Sequence, residues 1–265
     1  MPSYAVIGAS RGIGLEFVRQ LASRTDTQVF AVVRDTNSPH IQSAAAVGHE
    51  NVHIIQGDIA DHRSLSRAAE AVAAVTGGSL DVLIHNAART GGGELFRRGF
   101  HHYKDLDELD EDFIDAFKTN TLGIVHSTSA FLPLLRRGTE KKIIEIDSLG
   151  GSSKFTVSAG APDVAAYSVT KASGRLVAAK YAVGLKSEGF TVVSIHPGLV
   201  DTSATAKAPV QINFQMVAQA LKEAGVQDAE VLTPAQAVEA QLRLIDSLTP
   251  EKNGAFLSYT GQVLE

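Results

Sequence analysis

The feature that most constrains the fold of this 265-residue chain is a regular alternation of short strand-like runs with longer helical patterns. Apolar residues recur at three- and four-residue steps between the runs, as at Ile13, Phe17 and Leu21. Such strands with helical crossovers predict an α/β fold, a doubly wound parallel sheet of about seven strands with helices on both faces. The runs, rich in β-branched and apolar residues, are 4–7, 28–33, 52–56, 80–85, 142–146, 191–196 and 255–259.

Composition excludes several classes of protein. With 44% hydrophobic and 20% charged residues, the chain has the balance of a folded globular protein rather than a disordered one. Its 24 basic and 29 acidic residues give a formal charge of −5, so we expect neither nucleic acid nor a membrane as a partner. The absence of cysteine excludes disulfides and thiolate chemistry, and the nine histidines show no metal-site spacing, so we expect no metal.

The chain shows no linker, repeat or low-complexity block, so we predict one domain over residues 1–265. We see no signal-peptide pattern and no apolar stretch approaching about 18 residues, so the cytoplasm is the default location. Stretches 90–107 and 203–231 break the alternation. We predict that they are long loops at the carboxyl ends of the strands, where open α/β sheets bind ligands.

The first strand leads into a glycine-rich turn, Gly8-Ala9-Ser10-Arg11-Gly12-Ile13-Gly14, and then into a predicted helix. Gly8 would permit a tight turn, Gly12 would let the backbone approach a pyrophosphate, and Gly14 would allow close packing, while the helix N-terminus supplies amide donors. The spacing differs from G-x-G-x-x-G. A flexible loop between strand and helix is the alternative.

The end of the second strand bears on the choice of dinucleotide. It reads Val33-Arg34-Asp35, and the Arg34 guanidinium, with Arg11 in the glycine turn, would bind a 2′-phosphate. This favours NADP(H) over NAD(H). The alternative is two solvated arginines, with Asp35 binding the ribose hydroxyls instead.

Tyr167 and Lys171 are four residues apart in a helical pattern and so share one face. A free tyrosine has a pKa of about 10, and both a neighbouring ammonium and a cationic nicotinamide favour the phenolate. The pair is therefore a candidate acid/base. A half-buried tyrosine above a surface lysine is the alternative.

Several motifs stand in the order of one family: the glycine turn, Asn86-Ala87-Ala88, Asn120, Ser148, Tyr167-x-x-x-Lys171, and Pro197-Gly198 followed by Thr202. The chain resembles the short-chain dehydrogenase/reductases over nearly its whole length. Through 131–135 and 254–259 it is similar to their carbonyl-reductase-like group, which includes the sniffer and C-factor proteins. The resemblance implies a Rossmann-type fold, a nicotinamide cofactor, and hydride transfer involving a ketone, aldehyde or secondary alcohol.

The resemblance also implies catalytic roles. Tyr167 would be the general acid in reduction and the base in oxidation, and Ser148 would hydrogen-bond the substrate oxygen. Lys171 would hold the nicotinamide ribose and join a proton relay through water to Asn120. Asn120 matches the family asparagine that bends its helix; a surface asparagine is the alternative.

Further cofactor contacts follow by resemblance. Asp58, before Ile59, would accept a hydrogen bond from the adenine amino group, or else cap the next helix. Asn86 and Ala87 would pack against the cofactor. The backbone near Val200 and the Thr202 hydroxyl, in the segment that begins Pro197-Gly198, would orient the carboxamide.

The chain departs from the family pattern at several positions. Asp147 stands where a serine is common, and His85 and Ala88 replace asparagine and glycine. The gap of 19 residues from Ser148 to Tyr167 is long, which leaves Ser152 or Ser153 as alternatives to Ser148 and predicts a further substrate loop near 152–165.

Six apolar side chains in the predicted loops are candidates for the substrate-pocket wall: Phe96, Phe100, Tyr103, Phe155, Phe214 and Met216. By resemblance we expect a homodimer or homotetramer that pairs through the helices containing 113–135 and 167–185. Two other functions stay open. One is a non-catalytic NADP(H)-sensing interaction protein, suggested by the altered positions 85, 88 and 147; the other is a dehydratase or isomerase using the same tyrosine and lysine.

Overall fold

Within the described part of the chain, seven strands form one parallel sheet in the order β3-β2-β1-β4-β5-β6-β9, and two further strands, β7 and β8, form a small parallel ladder of their own. The computed structural model describes residues 1–46, 50–90, 98–206, 213–223, 225–226 and 229–264. The strands are β1 (Ser3–Ile7), β2 (Gln28–Val33), β3 (Val52–Gln56), β4 (Val82–His85), β5 (Lys142–Ile146), β6 (Thr191–His196), β7 (Leu199–Val200), β8 (Val231–Leu232) and β9 (Phe256–Ser258).

Helices follow most strands and cover both faces of the sheet. They are α1 (Gly12–Ala22), α2 (Pro39–Ala46), α3 (His62–Thr76), α4 (Leu106–Phe117), α5 (Gly123–Leu135), α6 (Ser153–Ala159), α7 (Ala165–Gly184), α8 (Phe214–Glu223) and α9 (Pro234–Ser247). The prediction of a Rossmann-type doubly wound sheet of about seven strands is confirmed, and all seven predicted runs contain a strand of that sheet.

Successive residues of one strand enter two different cores, because strand side chains alternate between faces. In β1, Val6 packs in the layer with Leu15 of α1 and Leu242 of α9, whereas Ile7 packs in the layer with Leu65 of α3 and Phe131 of α5. Burial on both faces explains why these strands read as continuous apolar runs. Their parallel direction brings the strand ends that carry the candidate site residues to one edge of the sheet.

Two stretches predicted as loops contain helices, which corrects those predictions. In 152–165, the Ser152 hydroxyl accepts a hydrogen bond from the Phe155 amide and caps α6, which ends at Gly160 with φ +56°. In 203–231, Asn213 accepts a bond from the Met216 amide at the start of α8. The third stretch, 90–107, contains a 3₁₀ turn at Phe100–His102 before α4 begins. The capping hydrogen bonds of Ser152 and Asn213 mark where the two helices begin.

Among the described residues, no helix combines the length and apolar character that crossing a bilayer requires. Nor do His, Asp and Glu side chains form a group of three or more suited to a metal ion in that part of the chain.

Candidate functional site

The glycine turn between β1 and α1 is a backbone cradle that side chains would fill. Gly8 and Gly12 have φ values of +84° and +56°, which favour glycine. A Cβ atom on Gly14 would lie 2.3 Å from the Gly8 carbonyl oxygen and 2.5 Å from Asn86 Nδ2. Asn86 Nδ2 also donates to the Gly8 carbonyl at 3.0 Å. The turn is therefore a fixed structure held by Asn86, rather than a flexible loop.

The N-terminus of α1 suits an anion. The helix has 11 residues and no acidic residue in its first turn, so its positive end is not neutralised by its own side chains. The exposed Arg11 precedes it and half-buried Ser10 and Ile13 flank it. The Gly12 amide donates to Thr205 Oγ1 at 2.8 Å. The cradle and the helix end fit a dinucleotide phosphate.

The residues after β2 and β3 differ in their surroundings. Arg34 and Asp35 are both exposed, and Asp35 Oδ1 accepts a bond from the Asn37 amide. Asp58 is half-buried and accepts a bond from the Ala60 amide at 3.0 Å. The N-cap of α3 is Asp61, so the alternative interpretation of Asp58 as this helix cap is wrong. Ile59 is buried, and its carbonyl lies 2.9 Å from His126 Nδ1.

Tyr167 and Lys171 lie near the start of α7 as neighbours. Lys171 Nζ is 5.8 Å from the centroid of the Tyr167 ring and donates to the Ile146 carbonyl at 2.5 Å. Lys171 is only 4% exposed, so it is not the surface lysine of the alternative interpretation. Burial acts to lower the pKa of Lys171, but the charges of Tyr167, Glu145 and Asp147 outweigh it, and the pKa is raised.

Asn120 lies in a π-helical turn, Lys118–Leu122, between α4 and α5. It is buried, and both ends of its side chain are engaged: Oδ1 accepts from the Arg89 amide at 2.6 Å, and Nδ2 donates to the Arg89 carbonyl and to Thr170 Oγ1. The surface asparagine of the alternative interpretation is thus excluded. The side-chain amide of Asn120 therefore links Arg89, after β4, to Thr170, which precedes Lys171 in α7.

Ser148 follows β5 and begins a 3₁₀ turn, Leu149–Gly151, in which its Oγ accepts from the Gly150 amide at 3.1 Å. A Cβ atom on Gly150 would lie 3.3 Å from both Ser148 Oγ and Ser168 Oγ, so Ser148 faces the first turns of α7. Ser152 caps α6 and Ser153 is exposed. These positions favour Ser148 over the two alternatives.

The segment after β6 approaches the glycine turn. Gly198 has φ +86°, and Leu199 and Val200 pair with Val231 and Leu232 in the small ladder. A Cβ atom on Gly12 would lie 3.3 Å from the Thr202 methyl. The structure therefore places Thr202 beside the cradle. In the sequence, the small ladder had no signal beyond two short apolar pairs.

Four titratable side chains behind the candidate acid/base, three of them buried and one half-buried, were not predicted as a group. Glu145 lies on β5 and Asp147 directly follows that strand, facing Lys171 and Arg175 on α7. Arg175 Nε donates to Asp147 Oδ2 at 2.7 Å, and Ser194 Oγ donates to Glu145 Oε2 at 2.6 Å. Burial, with Asp147, raises the pKa of Glu145 to about 8. Burial also raises the pKa of Asp147, against the opposing charges of Lys171 and Arg175. The available signal in the sequence was a pair of acids two residues apart at the end of a strand and a pair of bases four residues apart in a helix.

Two histidines at the carboxyl ends of strands are neutral. Burial, with the charge of Lys171, lowers the pKa of His85 to about 3, and its Nδ1 lies 2.8 Å from Ser127 Oγ. Burial, with Arg175, lowers the pKa of His196 to about 4. His85 therefore replaces the family asparagine as an uncharged, internally bonded side chain.

A cavity of about 290 Å³ lies beside the Ser148–Ser152 turn. Its lining includes Leu149, Phe155, His196, Val226 and Phe256. Of the five predicted wall residues that the structure describes, only Phe155 lines it. Phe100 stacks on Phe113, Tyr103 donates to Asp112, Phe214 and Met216 lie on α8, and Phe96 lies outside the described residues.

Comparison with known proteins gives consistent matches. The family model described as short chain dehydrogenase matches residues 3–213. The short-chain dehydrogenase/reductase atnB of Arthrinium sp is 38% identical over 262 residues, 98% of each chain. The short-chain dehydrogenase/reductase AacuF of Aspergillus aculeatus is 35% identical over 266 residues, also 98% of each.

Solved structures extend this likeness to the fold. The NADPH-bound carbonyl reductase from chicken fatty liver is 26% identical with a TM-score of 0.79, covering 100% of this chain and 94% of its own. The carbonyl reductase Sniffer of D. melanogaster is 22% identical with a TM-score of 0.80, covering 100% and 99%. At 22% identity, the likeness to the Sniffer protein concerns the fold alone.

Proposed function

Because the chain belongs to the short-chain dehydrogenase/reductase family, we propose that it is an NADP(H)-dependent carbonyl reductase or ketoreductase, acting on a ketone, aldehyde or secondary alcohol. The family match confirms the resemblance inferred from the sequence, and the structural neighbours include carbonyl reductases. The observation that carries the proposal is the placement of buried Lys171 5.8 Å from the Tyr167 ring.

The family uses a nicotinamide cofactor, which when bound supplies or accepts the hydride. A preference for NADP(H) is supported by Arg11 and Arg34, which are both exposed and follow the neighbouring strands β1 and β2. We assign cofactor contacts to the turn from Gly8 to Gly14, to Arg34, Asp58, Ile59, Asn86, Ala87, Tyr167 and Lys171, and to Pro197, Gly198, Val200 and Thr202.

The chemistry proposed for the chain's own residues is proton transfer at the substrate oxygen. In reduction the Tyr167 hydroxyl gives its proton to that oxygen, and in oxidation it takes one back. Ser148 donates a hydrogen bond to the same oxygen as charge develops there. The Lys171 ammonium favours the phenolate that remains, and exchanges protons with solvent through water beside Asn120.

The cavity lined in part by Leu149 and Ser152, in the turn that follows Ser148, is the proposed site for the rest of the substrate. Its wall combines the rings of Phe155 and Phe256 with neutral His196. Such a wall suits an apolar substrate carrying a few hydrogen-bonding groups.

Two of the three departures that suggested a cofactor sensor have partners inside the fold. Asp147 is paired with Arg175, and His85 is bonded to Ser127. Neither position supports a different class of function, so the oxidoreductase is the function that the site favours. We further propose self-association, tested below.

The catalytic assignment is tested by Tyr167→Phe, with Tyr181→Phe as the matched control. Tyr181 lies on the same helix, and its hydroxyl is 3.1 Å from Ser129 Oγ. Absorbance at the reduced-nicotinamide band is followed with NADPH and a panel of ketones and aldehydes. We expect Tyr167→Phe to lower kcat at least about 100-fold while its Kd for NADPH stays within about two-fold, and Tyr181→Phe to change neither. Unchanged turnover in Tyr167→Phe would refute the assignment.

Cofactor preference is tested by titrating the protein with NADPH and NADH, followed by nicotinamide fluorescence. We expect Arg34→Ala to weaken NADPH binding about ten-fold, equivalent to about 1.4 kcal/mol, and to leave NADH binding unchanged. Arg63→Ala, which removes another exposed arginine at the start of α3, is the control. If Arg34→Ala weakens the binding of NADPH and NADH equally, Arg34 does not bind the 2′-phosphate.

A further inference from the structure

The polar face of α7 continues one helical turn beyond Tyr167 and Lys171 to Arg175. These three residues stand at four-residue steps, which places them along one side of the helix. The Arg175 side chain is 14% exposed, and its partner Asp147 is fully buried. A charged pair in that position is costly to bury, so its geometry is the feature to explain.

Arg175 makes three contacts with two separate segments through one planar group. Its Nε donates to Asp147 Oδ2 at 2.7 Å, and its Nη2 donates to the Ser148 carbonyl at 3.1 Å. Its Cζ lies 3.7 Å from the centroid of the Phe256 ring in β9. The guanidinium therefore links the end of β5 and the edge strand β9 to α7. The main-chain carbonyl that it holds belongs to the candidate serine.

The turn after Ser148 is also seated directly on the α7 backbone. A Cβ atom on Gly151 would lie 2.7 Å from the Ala172 nitrogen and 2.9 Å from the Lys171 carbonyl carbon. The turn thus has two anchors on α7, close packing at Gly151 and the hydrogen bond from Arg175. Both anchors fix where the Ser148 hydroxyl lies relative to the helix that carries Tyr167.

We propose that Arg175 is a positioning residue for the reaction, holding Ser148 in place through Asp147 and through the Ser148 main-chain carbonyl. This inference rests on the proposed function, because it concerns the serine of that site. It also explains why Asp147 stands where the family commonly has serine: the carboxylate is the partner that orients the guanidinium.

The geometry requires an arginine rather than any cation. A guanidinium is planar and directs donors along fixed vectors while stacking on an aromatic ring. A lysine ammonium would keep the charge beside Asp147, but one point charge cannot reproduce two fixed donor directions and the stack on Phe256. Arg175→Lys therefore separates the geometry from the charge.

The experiment measures kcat, KM and the Kd for NADPH in Arg175→Lys, Ser148→Ala and the double variant. We expect Arg175→Lys to lower kcat about 10-fold or more with the Kd for NADPH within about two-fold. In the double variant, kcat should fall no further than in Ser148→Ala alone, because Arg175 acts through that serine. The pH–rate profile of Arg175→Lys should keep its shape, since the charge is retained.

Hydrogen exchange by mass spectrometry provides a readout independent of turnover. We expect faster exchange of the amides at 149–152 in Arg175→Lys. Arg136→Lys is the matched control: Arg136 makes two hydrogen bonds to Glu188 on the surface. That control should change neither kcat nor exchange at 149–152.

The outcomes separate the inference from the function on which it rests. Loss of turnover in Ser148→Ala but not in Arg175→Lys, losses that multiply in the double variant, or unchanged exchange would each overturn the positioning role. Full turnover in Ser148→Ala would instead refute the role proposed for that serine. If Arg175→Lys does not fold, Asp147→Asn tests the same link from the other partner, with the same expected results.

Discussion

Glu145 shows how a single buried carboxyl couples the candidate site to the stability of the fold. It is 1% exposed, and in the described part of the chain its Oε1 has no hydrogen-bond partner. Burial and then Asp147 raise its pKa to about 8, whereas Lys171 opposes the shift. At neutral pH the side chain therefore keeps its proton in the folded protein, although it would be ionised in the unfolded chain.

This difference predicts the direction of a pH effect. Between about pH 4.5 and about pH 8 the unfolded chain releases the Glu145 proton and the folded protein retains it, so each rise in pH favours unfolding. Glu145→Gln removes this titration. We expect its Tm relative to wild type to be higher at pH 8 than at pH 5.5 by about 4 °C or more, which is roughly 1–2 kcal/mol for a chain of this size.

Asp81→Asn is the control for this measurement, which uses thermal unfolding followed by circular dichroism. Burial acts to raise the pKa of Asp81, but hydrogen bonds from Thr139 and Ser3 outweigh it and hold the pKa below its usual value. Its stabilising effect is therefore complete above about pH 4, and Asp81→Asn should lose the same stability at pH 5.5 and pH 8. If the Tm difference between Glu145→Gln and wild type is also the same at pH 5.5 and pH 8, Glu145 is not held protonated in the folded protein.

At the scale of single residues, the sequence identified the groups that carry a spacing rule. Tyr167 and Lys171 stand one helical turn apart, and Ser148 follows a buried strand. Arg175 and Glu145 carry only a weak spacing pattern, because charged residues on a helix or near a strand end are usually solvated whatever their spacing. Their burial depends on how α7 packs on β5, which is a long-range contact that no local pattern records.

At the scale of elements, α1 and the turn before it depend on one glycine. A Cβ on Gly14 would meet the Gly8 carbonyl oxygen at 2.3 Å, and that backbone atom cannot move without opening the turn. We expect Gly14→Ala to destabilise the protein by about 1–3 kcal/mol and to weaken NADPH binding at least about 10-fold. Urea unfolding and fluorescence titration measure the two effects.

Gly184→Ala is the matched control, because Gly184 is also a helical glycine. It is the last residue of α7, and a Cβ there would meet nothing within 4 Å. We expect a gain of about 0.5–1 kcal/mol with no change in nucleotide affinity. A Gly14→Ala protein that behaves like Gly184→Ala would show that the cradle tolerates a side chain and does not define the phosphate site.

The elements that the sequence predicted best are short strand-like runs. β2, β5 and β6, whose residues are nearly all buried, and the half-buried edge strand β3 have the predicted bounds. α6 was missed because seven residues are too few for a periodic signal to stand out. α8 is amphipathic, but it was missed because the whole stretch 203–231 was assigned to a loop.

At the scale of the whole molecule, the helices that carry the site also carry an apolar outer surface. Val169, Leu176 and Val183 stand at seven-residue steps on α7 and are all exposed, Val183 by 78%. Neighbouring α4 adds exposed Ile114 and Phe117. Apolar surface of this extent is typical of an interface. We propose that a second copy of the chain covers it, as expected from the family resemblance.

Light scattering at micromolar concentration tests this proposal. We expect the wild-type protein to be a dimer or tetramer and Leu176→Glu to give a smaller species, because a carboxylate in an apolar contact is costly to desolvate. Val75→Glu, which places the same charge at an exposed apolar position of α3, should leave the mass unchanged. A monomeric wild type, or a Leu176→Glu protein of unchanged mass, would exclude α7 as the interface.

Such an interface would connect assembly to catalysis through one rigid element. The same 20-residue helix presents Tyr167, Lys171 and Arg175 inward and the seven-residue stripe outward, so a partner that packs on the stripe also restrains the catalytic side. We therefore expect Leu176→Glu to lower kcat about two- to five-fold with the Kd for NADPH within about two-fold, because most of the proposed cofactor contacts lie outside α7. A dissociated variant with full kcat would show that a single copy of α7 holds its geometry without the partner.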